Sequence, residues 1–200
     1  WESWGGSWQV IRIAVIPALR RDLDATGAWP QALIDATVRF HAERALPLPR
    51  LADGPSLRAI LLPYLEAYRM AGQAVELGRA VEVGVLLALS SQVAGNHYQS
   101  EVRDAVSQAL ATGPGGFFAP GRLRFGEDLW ASDIVQTLLA LGGVSNVCLN
   151  RFKRLGDRFP DQASSGRIAL AGLEVAICDN LPNLAARGYF RLALHGGLRG

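Results

Sequence analysis

An α+β fold follows from three observations on the sequence. Runs rich in β-branched residues, Trp8–Pro17 and Ala74–Val93, alternate with stretches whose apolar residues recur at helical spacing, and a group of short alternating runs closes the chain. The order strand, helix, strand, helix suggests an open sheet with helices on one face, a ferredoxin-like core, followed by a small, mostly antiparallel second sheet. With 200 residues, half of them apolar, the chain suits one large domain or two small ones. The expected division is a first α+β subdomain over 1–113, with an insertion at about 18–54, and a connector helix with a small β-rich subdomain over 114–200.

Taken in order, WQVIRIAVIP at Trp8–Pro17 reads as a strand, and Trp1, Trp4 and Trp8 load its entry with aromatic surface. Trp4 and Trp8 are therefore candidate joint or contact residues, most simply a local cap on the core. Pro30 opens a helix through about Leu46, with Leu33, Ile34, Val38 and His41 on one side, and Pro47, Pro49 and Gly54 make a loop. Pro55–Ala71 places Leu57, Ile60, Leu61, Tyr64, Leu65 and Tyr68 on one helical face. Its Pro63 removes a hydrogen bond at a cost of about 3 kcal/mol, which predicts a kink or a late start.

Ala74–Val93 is too long for one flat strand, so a bend near Gly78 is expected, with Val81, Val83, Val85 and Leu87 pointing to one side. Asn96 is the expected cap of a helix carrying Val102, Ala105, Val106, Ala109 and Leu110, which ends at the break Gly113–Gly116. A connector follows from Gly115 to Leu141. Phe117 and Phe118 lead to a Pro120-Gly121 turn, Leu123 and Phe125 alternate with Arg122 and Arg124 as in a short strand, and Gly126 hands over to a helix. Glu127 and Asp128 suit its first turn, and Trp130, Ile134, Leu138 and Leu141 its apolar face. Gly142-Gly143 stops this helix, and Val144–Phe152 is a strand. Arg154–Gly166 is a polar loop, and Ile168–Leu170, Leu173–Cys178 and Tyr189–His195 are three further half-buried strands.

Composition narrows the function classes. Net charge is only +2, and Lys153 is the single lysine, which argues against a dedicated nucleic-acid or anionic-membrane surface. Arginine in place of lysine favours paired contacts at protein interfaces. Cys148 and Cys178 are too few for a disulfide framework or a zinc site and read as reduced, buried thiols, in keeping with a cytosolic site of synthesis. No run of about 18 apolar residues is long enough for a membrane span, and the opening WESWGGSW lacks the features of a signal peptide.

The common catalytic constellations are also missing: there is no His-Glu-x-x-His, no Gly-x-Ser-x-Gly and no phosphate loop ending in Lys-Ser or Lys-Thr. Asp22 with Asp24, and Glu127 with Asp128, lack the spaced oxygens calcium requires. His41 has no other ligand at metal-binding spacing and reads as a helix-face histidine; His97 and His195 carry no motif, although either could meet an Asp and a Ser in space, and Cys148 in an apolar strand is a poor nucleophile. Arg151, Lys153 and Arg154 form a compact basic cluster, read as a loop edge or a subunit contact. No catalytic, cofactor-binding or metal residue is assigned.

The run Gly116, Phe117, Phe118, Pro120, then Phe125, Gly126, Glu127, Leu129, Ser132, Ile134, and then Gly143, Val144 resembles the C-terminal region of the baseplate wedge proteins of contractile injection systems, the baseplate J-like family. Arg151-Phe152, Leu173–Ala176 and Asp179–Asn183 fall where that family has similar segments, and Trp4–Trp8 before an apolar strand is similar to its entry into this region. The likeness is weakest between Ala18 and Gly54.

It implies a structural, non-enzymatic subunit of a phage-tail-like particle that is assembled in the bacterial cytoplasm and either retained there or released. Such a subunit pairs with other wedge subunits, surrounds the central spike or hub proteins with six-fold symmetry, and meets sheath-proximal baseplate proteins. It also implies that the chain is the C-terminal part of a longer protein. The joint residues expected are Phe117, Phe118, Pro120, Phe125, Gly126, Leu129 and Ser132. Rival expectations are a ferredoxin-like RNA-binding module and, with less to support it, a hydrolase.

Overall fold

The computed structural model describes residues 2–4, 9–16, 22–113, 115–156 and 158–199, with the backbone alone for 2–4. The α+β class holds. The chain forms two compact units that divide between Arg79 and Ala80, not at 113/114.

In the first unit, β1 (Glu2–Trp4) pairs antiparallel with β2 (Gln9–Val15), which pairs in parallel with β3 (Gln73–Arg79). A parallel pair needs a long crossover, and here it holds α1 (Gln31–Glu43) and α2 (Leu57–Ala67). The Pro30 helix is thus as expected, although none of its residues is buried. What the 22–55 segment buries is Leu23 and Trp29, whose indole N–H donates to Pro55 C=O at 3.0 Å. Ser56 caps α2, its hydroxyl accepting the Ala59 N–H at 3.2 Å, and the helix runs on through Pro63. The Arg58 guanidinium ties α2 to the carbonyl of Leu77 in β3 and to Asp24.

The second unit is built on β4 (Val81–Tyr98), an 18-residue strand. Its antiparallel neighbour is β6 (Val144–Arg154); β8 (Glu174–Ile177) and then β9 (Tyr189–Leu198) pair with it in parallel. The hydrogen bonds place them on opposite sides. Leu155 N–H donates to Gly84 C=O beside β6, while Val81 N–H donates to Leu173 C=O beside β8. Between β8 and β9 the chain leaves the sheet for 3-10 turns over Pro182–Arg187. A separate two-stranded antiparallel sheet joins β5 (Leu129–Trp130) to β7 (Arg167–Ile168).

Helices α3 (Gln99–Ala109) and α4 (Ala131–Leu139) cover one face of the large sheet. Val102, Val106 and Leu110, spaced as the sequence predicts, meet Val85, Leu87, Leu89, Ile134, Leu138 and Phe152 in one core. The expected strand–helix–strand–helix, from Trp8–Pro17 through the Pro55 helix and Ala74–Val93 to the helix after it, appears in order as β2, α2, β3 with β4, and α3, but the Arg79/Ala80 boundary divides it: β2, α2 and β3 lie in the first unit, β4 and α3 in the second.

Several expectations need correction. The long apolar run breaks at Ala80 instead of bending at Gly78, because β3 and β4 belong to different units. Asn96 caps nothing: it lies within β4, and α3 begins after Tyr98. Leu123–Phe125 is irregular, a bend leading into a turn, and not strand. The C-terminal runs do not make a second subdomain, since β8 and β9 add to β4, and β8 buries Val175, Ala176 and Ile177 on both faces. Cys148 is exposed, whereas Cys178 is buried.

Candidate functional site

The segment Gly115–Leu129 packs as a joint inside the second unit. Phe117 and Phe118 are both buried, with rings edge to face at 5.1 Å, and Phe117 N–H donates to Ala109 C=O at 2.7 Å, which seats the turn on the end of α3. Arg122 lies 5.0 Å from the Phe117 ring.

Gly126 explains itself physically. Its φ is +68°, its N–H donates to Glu174 C=O at 2.8 Å, and an added Cβ would stand 2.9 Å from the Gly172 carbonyl oxygen. Only glycine combines that left-handed conformation with so close an approach. Leu129 then enters the core opposite Ile168.

Of the nine expected joint residues, Phe117, Phe118, Gly126 and Leu129 come together here. Pro120 and Ser132 lie at the surface, Ser132 donating to the neighbouring Asp133 at 3.3 Å, and Phe125 is 38% exposed. Trp8 lies outside the described residues, as does Trp1, and Trp4 ends β1 with only its backbone described. The joint links α3 to β7 and β8 within one unit, not two subdomains.

Charged residues around the joint were not legible as a group. Asp128, expected to sit in a first helical turn, instead accepts Leu170 N–H at 3.0 Å and Arg167 Nε at 2.6 Å. Those bonds, the Leu170 one foremost, hold its carboxyl below the usual range. Glu174 receives Arg154 at 2.5 and 3.1 Å and is lowered chiefly by that pairing. Asp161 accepts Phe152 N–H and Ala163 N–H, each at 3.0 Å, and is lowered mainly by the first.

The excursion between β8 and β9 is locked by Arg187, which grips Glu82 with both Nη atoms, at 2.5 and 2.9 Å, and Asp179 through Nε at 2.5 Å. These partners, Glu82 first, raise the Arg187 pKa further. Gly188 follows at φ +91°, where a Cβ would meet the Ile177 carbonyl oxygen at 2.5 Å.

A cleft of about 640 Å³ opens beside the joint, lined by Arg154, Phe159, Gln162, Ser165, Arg167 and Ile168. Both arginines are already engaged, with Glu174 and Asp128. Among the described residues no group of three His, Cys, Asp or Glu side chains is placed to hold a metal ion, and no helix is long and apolar enough to cross a membrane. Burial pushes the Cys178 thiol up to about 12. Asp22 and Asp24, weighed as a cation pair, bind Arg79 at 2.9 Å and Arg58 at 2.6 Å. Asp128, Asp161, Glu174, Arg154, Arg167 and Arg187 thus have structural partners.

Comparison with models of known protein families gives no match, and neither does comparison with curated proteins.

Proposed function

We propose that this chain is the C-terminal region of a baseplate wedge subunit in a phage-tail-like contractile injection system, where it holds neighbouring subunits together around the central spike and supports sheath attachment and contraction. The observation that carries the reading is how the family-like run is used. Phe117, Phe118, Gly126 and Leu129 bind three elements of one unit to each other through packing and main-chain hydrogen bonds. Such a joint serves a protein that transmits force and does not make or break bonds.

The sheet adds to this support. Its outer strands, β6 and β9, are 11 and 10 residues long, and long edges of this kind are surfaces on which other chains assemble. Its partners on this reading are other wedge subunits, the central spike or hub, and sheath-proximal baseplate proteins.

The test is to pellet large particles from a lysate of the source cell, with a sheath-deletion strain as control. The chain is expected in the pellet beside sheath, tube and spike proteins, and its sedimentation is expected to depend on them. A chain that stays in the supernatant irrespective of those components overturns the reading.

A further inference from the structure

The large sheet has a second face. The odd-numbered residues of β4 from Val83 to Val93 point into the core, where α3 and α4 cover them. The even-numbered residues point the other way, and the strand register says what stands beside them. Arg151 of β6 and Arg191 of β9 flank Ala88 in one cross-strand row, about 10 Å apart across two strand spacings. Lys153 sits two residues from Arg151 on the same face. In the next row but one along β4, Ser90 lies between Cys148 and Ala193, so Ala88 and Ser90 make a short trough of small side chains between Leu86 and Gln92, with Arg151 and Arg191 at the rims of its first row.

Charge on this face is one-sided. Glu82, the acidic residue that β4 contributes here, is held by Arg187. Asp161, close enough to feel Arg151 and Lys153, is committed to two backbone N–H groups. With Glu82 held by Arg187, three cations among the described residues, Arg151, Lys153 and Arg191, share the face with Asp161 as nearby carboxylate.

We propose that this open face is a docking surface for an acidic, extended segment of a partner protein, whose carboxylates are taken by Arg151 and Arg191 on either side of the Ala88 row. Planar guanidinium groups match carboxylates in two-pronged fashion, and a flat trough of Ala and Ser admits a strand-like backbone. The aromatic distribution favours a protein over a nucleic acid. Phe152 and Phe190 pair with Leu87 on the core side, so stacking bases would find Tyr189, whose ring Arg191 approaches at 5.8 Å, and His195 three rows away, not a continuous aromatic platform. The proposal rests on the assembly reading for the source of that segment, another subunit.

The experiment uses the purified full chain with two fluorescent probes at low salt, a short peptide of alternating Glu and Thr and an oligouridine of matched charge. Anisotropy should give saturable, salt-sensitive peptide binding, and Arg151→Glu with Arg191→Glu should weaken it at least about tenfold. The same double variant should gain affinity for a Lys-Thr peptide. A photo-crosslinker on exposed Cys148 should capture the acidic peptide, and the buried Cys178 thiol will not compete for the label. If the Glu variants fail to fold, Arg151→Gln with Arg191→Gln carries the same test.

Three results would each overturn the proposal: no binding of the acidic peptide, binding indifferent to both double variants, or oligouridine held more tightly than the peptide through the same arginines. None of these requires an assembled particle. A failure here leaves the sedimentation result standing, and a failed sedimentation leaves this one standing.

Discussion

At the scale of single residues, two phenylalanines of one motif separate cleanly. Phe117 is buried, so Phe117→Ala should cost about 3–5 kcal/mol in denaturant unfolding. Phe125 is 38% exposed, and Phe125→Ala should cost less than about 1 kcal/mol. Any larger role for Phe125 then belongs to assembly, to be read by sedimentation.

Gly126→Ala should lose about 1–2 kcal/mol from backbone conformation alone, with more from its approach to Gly172. The carboxyls of Asp128, Asp161 and Glu174 are all depressed in the folded chain, so each adds stability that is fully present above its unfolded pKa and is lost as pH falls through its folded value. Thermal unfolding against pH should accordingly be flat near neutrality and fall below about pH 4. Asp161→Asn should make that fall shallower.

At the scale of elements, period and punctuation in the sequence were reliable where a segment packs by its own face. Val102 and Val106 of α3 with Leu110 at its C-cap, and Ile134 and Leu138 of α4, read correctly because a helix on a sheet buries one stripe. Asn96 misled because a cap signal is local, whereas the pairing of β4 with β6 and β9 carries extended structure on to Tyr98. β8 misled for the opposite reason: buried on both faces beside β4, it has no alternation to display. Pro63 sits exposed inside α2, so Pro63→Ala should restore a backbone hydrogen bond and stabilise the helix by up to about 3 kcal/mol. Slower amide exchange across Leu57–Ala67 is the measurement.

At the scale of the whole molecule, the boundary at Arg79/Ala80 has a direct consequence. A fragment of residues 80–200 should fold alone and unfold in one cooperative step, because β4 and all three strands that pair with it are present. A fragment of 114–200 should not, since it lacks the strand to which β6, β8 and β9 are bonded. Circular dichroism and urea unfolding of the two fragments distinguish these outcomes. The candidate joint was legible in part: its aromatic and glycine residues announced a turn, but Asp128, Glu174 and Arg187 join it through partners 8 to 105 residues away, and no spacing rule reaches so far.

By itself the sequence determined the α+β class, the helices, the buried stripes of α3 and α4, the Pro30 start and the glycine–aromatic run that makes the joint, because those depend on local periodicity and on residues whose backbone or size leaves few choices. Only the tertiary structure decided that β4 is shared by the whole second unit, that Phe125 faces outward, and that Arg151 and Arg191 stand on one open face. Strand pairing sets each of these, and it is a contact between distant residues that competes on equal terms with many alternatives until the core selects one.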